Sequence, residues 1–157
     1  MFAFLYLIFQ IYLTIASTSL IFRRLHDSGR SGWWYLTPLI AIIIFSLIVY
    51  FNTDVYDFED INRFKNLSGV AILFLVVSLL GFVIVFILMF YKSDPEENKW
   101  GRSPEKTYEF LEASKKYFIE WLDFKSRSRR SEYWWTYLTL LLIVLVEMII
   151  LGFIGGV

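Results

Sequence analysis

The stretch "RRLHDSGRSGWW", residues 23–34, decides the fold. Three arginines, the single histidine, two glycines and a tryptophan pair interrupt two long apolar runs. A membrane-spanning helix needs about 20 mostly apolar residues. Residues 1–22 supply one such run before the stretch, and residues 33–51 supply another after it. Further along, residues 67–91 and 133–154 make a third and a fourth. Barrel strands alternate in polarity over about ten residues, whereas these runs are continuous. The sequence therefore predicts an all-α, polytopic transmembrane helical bundle with four spans.

Composition agrees. Of 157 residues, 57% are hydrophobic and 20% aromatic, with the apolar residues gathered in blocks. There is no cysteine and one histidine, so no disulfide framework, thiolate chemistry or zinc site is expected. No catalytic residues, metal or cofactor are assigned. Formal net charge is zero, which provides no overall basic field for nucleic acid. The opening "MFAFLYLIFQ" lacks a basic n-region and reads as a retained span rather than a cleaved signal.

Basic linkers stay on the cytoplasmic side. Residues 23–32 carry three arginines and residues 92–132 carry ten basic residues; residues 52–66 carry only Arg63 and Lys65, among four acids. Linkers one and three share a side, since two spans separate them. Both are expected in the cytoplasm, with the N- and C-termini outside. Trp33, Trp34, Tyr35, Tyr91, Tyr133, Trp134 and Trp135 fall at the cytoplasmic ends of spans. There an apolar ring meets lipid and its N–H or O–H meets water.

The third linker is expected to hold an amphipathic helix at the cytoplasmic interface. Ser103 can cap it and Pro104 can occupy its first position. Phe110, Tyr117, Trp121 and Phe124, widened by Leu111, Phe118 and Leu122, form its apolar face. Glu112, Lys116, Glu120 and Asp123 lie mostly opposite.

Two basic knots stand out. In the first, Gly29 and Gly32 permit a tight reversal and Ser31 can cap the second span. Arg23, Arg24 and Arg30 hold the turn in the cytoplasm, and Asp27 can pair with one of them. This reading as a topology-setting turn stands beside another, in which the arginines form an anionic headgroup site near a helix N-terminus. A catalytic role for His26 and Asp27 has no accompanying nucleophile. The second knot, "DFKSRSRRSEYWW" (residues 123–135), places Lys125, Arg127, Arg129 and Arg130 on the same side. So many cations would repel, and Asp27, Glu132, Asp123 or bound anions must offset them.

Glu147 lies deep in the fourth span, where a charged carboxylate is costly. It is expected to face inward as a neutral acid, with Gln10 matched in depth as a hydrogen-bond partner. Ala16, Ser17, Ser19, Gly69 and Gly81 are small enough for helices to approach closely.

Three segments resemble the DUF805 group of bacterial inner-membrane proteins, a domain of unknown function. These are "FRRLHDSGRSGWW" (22–34), "NKWGRSP" (98–104) and "FKSRSRRSEYWW" (124–135), the last departing at Ser126, where glycine is usual. In the family the segment similar to 124–135 comes first; here it comes last. The chain then reads as residues 1–104 from the end of one unit, a linker helix with basic entry motif over 105–132, and a first helix over 133–157. It would be either a fragment of a tandem array or a permuted single unit. The start of the chain inside a span, with no preceding basic segment, favours the tandem origin and a homo-oligomer or second DUF805-like copy as partner. The expected function is a non-enzymatic scaffold of the bacterial inner membrane. Its cytoplasmic rim of Arg23, Arg24, His26, Asp27, Arg30, Trp33, Trp34, Arg127, Arg129, Arg130, Trp134 and Trp135 would bind anionic phospholipid headgroups or a protein. The alternatives are a small transporter or channel component using Gln10 and Glu147, and an enzyme acting on lipid through His26 and Asp27. Nucleic acid is not an expected partner.

Overall fold

A computed structural model describes residues 2–52 and 69–155. The described residues form five helices: α1 Phe2–Asp27, α2 Trp33–Asn52, α3 Gly69–Met89, α4 Phe110–Ile119 and α5 Arg130–Gly155. Four of them, all but α4, are long and apolar enough to cross a membrane. The chain is an all-helical, multi-pass membrane protein. Residues 53–66 of the expected outer linker lie outside the described residues.

The chain divides into two compact units, residues 31–90 and residues 1–30 with 91–157. The first of these is the α2–α3 hairpin. Its helices run antiparallel, since Tyr35 meets Phe82 edge-on while Pro38 meets Ser78 and Gly81. Ser78 donates to the Pro38 carbonyl at 3.1 Å. A Cβ built on Gly81 would stand 2.8 Å from Pro38 Cβ, so only glycine allows this approach. Ser31 Oγ accepts from the Trp33 N–H at 3.5 Å at the start of α2. Trp33 and Trp34, both exposed, line a groove of about 480 Å³ with Pro38 and Gly81.

In the other unit α1 and α5 run antiparallel. Arg23 meets Glu132 at one level and Gln10 meets Glu147 at another. Helix α1 continues through the arginines to Asp27, rather than ending at residue 22 as expected from polarity. Cations in a last helical turn complement the helix dipole, and here they also find carboxylates. The helix then closes on a left-handed Gly29 (φ +75°). Its N–H bonds the His26 carbonyl and the Arg30 N–H bonds the Leu25 carbonyl, the paired bonds of a Schellman turn.

Helix α4 corrects two expectations. It starts at Phe110, not at Ser103–Pro104, and ends at Ile119, before Trp121 and Phe124. Upstream, the backbone bonds to residues around the start of α5 instead of to itself: the Tyr108 N–H donates to Ser131 Oγ and the Glu105 carbonyl accepts from Arg129. Downstream, Asp123 Oδ1 accepts the Lys125 and Ser126 N–H groups and forms a turn. Ser19, fully buried on α1, donates to the Asp123 carbonyl at 2.6 Å and clamps that turn.

The faces of α4 are also redistributed. Ala113 and Tyr117 are buried, and the Tyr117 hydroxyl donates to the Leu13 carbonyl of α1. Ser114 shares a 2.6 Å hydrogen bond with Thr139 of α5. Leu111, Phe118, Ile119 and Leu122 remain exposed, Leu111 at 77%. Lys116, expected on the solvent face, is largely enclosed, and Glu120, still 36% exposed, reaches the same ion pairs.

Candidate functional site

Two linked clusters of charge form the centre of the larger unit. The first surrounds Asp27. Oδ2 accepts from Arg24 Nη1 at 2.7 Å and from the Ser93 hydroxyl, while Oδ1 lies 3.2 Å from Arg127 Nη2. Arg24 and Asp27 are fully buried and Arg127 is 3% exposed. Arg127 also donates to the carbonyls of Glu96 and Gly101, each at 2.9 Å, and to that of Asp94. Arg24 donates through Nη2 to the Tyr91 carbonyl. Buried guanidinium groups need this density of carboxylate and carbonyl acceptors, because transfer from water is otherwise costly.

The second cluster surrounds Glu132, in the first turn of α5. Its Oε1 accepts from Arg23 Nη1 at 3.0 Å and its Oε2 from Lys116 Nζ at 2.9 Å. Glu120 completes it, 2.8 Å from Arg23 and 3.6 Å from Lys116. Burial works against the Lys116 charge, but Glu132 and then Glu120 outweigh it and raise its pKa above the ordinary lysine value. Asp123 is shifted the other way. Burial alone would raise its pKa, but hydrogen bonds from Ser126 and Lys125 hold it below the ordinary carboxylate value. Asp27 and Glu132 thus supply the expected offset, and Asp123 shapes the adjoining turn.

The tight turn at residues 98–101 packs against the Asp27 cluster and His26. The Asn98 and Gly101 backbones pair, with Gly101 at φ +99°. This brings the Gly101 carbonyl to Arg127 and stacks the Trp100 ring on His26 at 4.3 Å. Asn98 Nδ2 donates to the His26 carbonyl at 3.0 Å, and Phe22 meets Phe124 edge-on at 5.5 Å. The stretches 22–30, 98–101 and 124–132, far apart in sequence, interlock in one chain.

The expected rim therefore separates into distinct environments. Arg23, Arg24 and Arg127 are enclosed and ion-paired within the unit. His26 is buried against Trp100, with Asp27 engaged by arginines and not by the imidazole. Arg30 lies over the Tyr91 ring at 4.4 Å. Arg129 is part-exposed and Arg130 exposed. Trp135 meets Phe110, and Trp134 meets Tyr133 and Tyr137. In the spans, Gln10 Nε2 donates to Glu147 Oε1 at 2.8 Å. Lys116 and Glu120 were missed as members of the site. Their i,i+4 spacing was visible, but the direction they face was not.

Residues 1–56 match the family model described as DUF805, protein of unknown function, a membrane protein family. The match takes in α1, the first basic knot and α2; residues 98–104 and 124–135 lie beyond it. No curated protein matches the chain, and no solved structure matches it.

Proposed function

We propose that this DUF805-like membrane protein is a non-enzymatic scaffold of the bacterial inner membrane, oriented with both termini outside. Its cytoplasmic face engages anionic lipid headgroups. The observation that carries this reading is the joint hold of Arg24 and Arg127 on Asp27. It supports a rigid cap in which buried arginines are structural and Arg30, Arg129 and Arg130 remain for the membrane surface. The exposed Leu111, Phe118 and Ile119 of α4, with Leu122 just beyond it, support a helix seated at the lipid interface. The interlock within a single chain also favours a permuted unit over a tandem fragment.

The transporter alternative rests on Glu147. Its 2.8 Å bond from Gln10 gives that carboxyl a structural partner, which favours the scaffold reading. A lipid-modifying role for His26 and Asp27 lacks geometric support. The test is native mass spectrometry of lipids retained by the detergent-purified protein. Anionic phospholipid should be enriched over zwitterionic lipid, and the enrichment should fall when Arg30, Arg129 and Arg130 are all changed to glutamine. Equal retention of both lipid classes would end the headgroup reading.

A further inference from the structure

A cavity of about 440 Å³ lies in the larger unit, lined by Lys92, Ser93, Pro95, Ser103, Thr107, Arg129, Arg130 and Ser131. Cavities that hold small ligands run from about 300 to 1,000 Å³. Three of these residues are cations and four carry hydroxyls. The surrounding segment 92–132 contains nine acids, yet none lines the cavity. Such segregation is unexpected in a chain of zero net charge.

The cations of this wall differ from those of the buried clusters. No carboxylate lies within 4 Å of Lys92, Arg129 or Arg130 among the described residues. Among the described residues the Arg129 side chain donates to one carbonyl, that of Glu105, at 3.0 Å. Among the described residues the hydroxyls of Ser103 and Thr107 have no hydrogen-bond partner. Arg130 and Ser131 open α5, whose first-turn N–H groups lack helical acceptors and favour an anion. Glu132, the acid of that turn, is neutralised by Arg23 and Lys116.

We infer that this cavity binds a phosphate group, with Lys92, Arg129 and Arg130 supplying charge and Ser103, Thr107 and Ser131 supplying hydroxyls. Arginine forks and hydroxyls together match the several acceptor oxygens of a phosphoryl group. The phosphate could come from a lipid headgroup or from a free phosphorylated solute. The lipid source alone rests on the headgroup reading above.

The test uses the full chain in detergent. Inorganic phosphate is titrated by calorimetry against the wild type and against a Lys92→Gln, Arg130→Gln double variant. Both side chains are exposed and lack carboxylate partners, so the unliganded melting temperature should not change. Saturable binding that weakens by about tenfold or more in the double variant is expected. No saturable binding, or equal binding by the two proteins, would overturn the site.

A second arm places both proteins in phosphatidylcholine nanodiscs with or without phosphatidic acid. Loss of phosphate binding only when phosphatidic acid is present identifies a lipid phosphate as occupant. Unchanged phosphate binding identifies a soluble one. If anionic lipid enrichment is absent but phosphate binds, the cavity stands and the headgroup function falls. If enrichment persists while phosphate fails to bind, the reverse holds.

Discussion

Arg127 Nη2 lies 3.2 Å from Asp27 Oδ1, joining two basic segments one hundred residues apart. Because Arg24 shares the same carboxylate, Asp27→Asn leaves two buried guanidinium groups uncompensated. Removing one partner of a buried ion pair costs about 3–5 kcal/mol. By contrast, Lys115 is exposed, and its change to glutamine should fall within about 0.5 kcal/mol of wild type. Thermal melts in detergent compare the two variants. Equal melting temperatures would remove the structural role assigned to Asp27.

The Gln10–Glu147 hydrogen bond joins α1 to α5 at membrane depth. Interhelical hydrogen bonds in membranes average about 0.6 kcal/mol, with a maximum near 1.7. Glu147→Gln keeps an acceptor and should be close to neutral, whereas Glu147→Leu should lose about that amount. Reconstituted vesicles separate structure from transport. Proton or ion flux that disappears in a stably folded Glu147→Gln variant would favour the transporter reading.

Gly81→Ala places a methyl group 2.8 Å from Pro38 Cβ, part of a rigid ring on the facing helix. Overpacking of this kind costs about 1–3 kcal/mol. Gly69→Ala in the same unit, with nothing within 4 Å of the added carbon, should show no such penalty. Protease resistance of the 31–90 unit measures the difference. Gly81→Ala as resistant as wild type would mean that α2 and α3 separate at little cost.

Acid and alkali should act on the larger unit at opposite extremes. Asp123 has a depressed pKa, so its stabilisation is fully present above the ordinary value of 3.8 and is lost as pH falls through the lower folded value. Lys116 has a raised pKa, so its contribution is present below 10.5 and is lost as pH rises through the higher folded value. Stability between these limits should be insensitive to both groups. Melting temperatures across pH should show an acid limb that weakens in Asp123→Asn. An unchanged acid limb in that variant would remove Asp123 from the account.

Residues 1–30 show how much of the candidate site was legible. The sequence marked Arg23, Arg24 and Asp27 as a knot and required acids to balance it, and Asp27 was expected to pair with one arginine. The two arginines Asp27 does hold come from the two separate chain segments of the unit. Local spacing makes the i,i+3 partner Arg24 visible, but not Arg127. For the same reason Lys92 and Thr107 carry no local signal and Ser103 reads only as a helix cap: chain reversal alone gathers them around one cavity.

What the sequence determined by itself was transfer between solvents. Four apolar runs of sufficient length specify helices, because a backbone in lipid must satisfy its hydrogen bonds internally, and charge specifies which segments remain between them. What the tertiary structure decided was the direction of each polar side chain. Amphipathic patterning located an edge on α4, but not that Lys116 and Glu120 would reach Glu132 and Arg23 while Leu111 stayed out. In water the apolar face turns inward. Beside a membrane the surroundings accept apolar surface, and unpaired charge seeks its partner inside the protein.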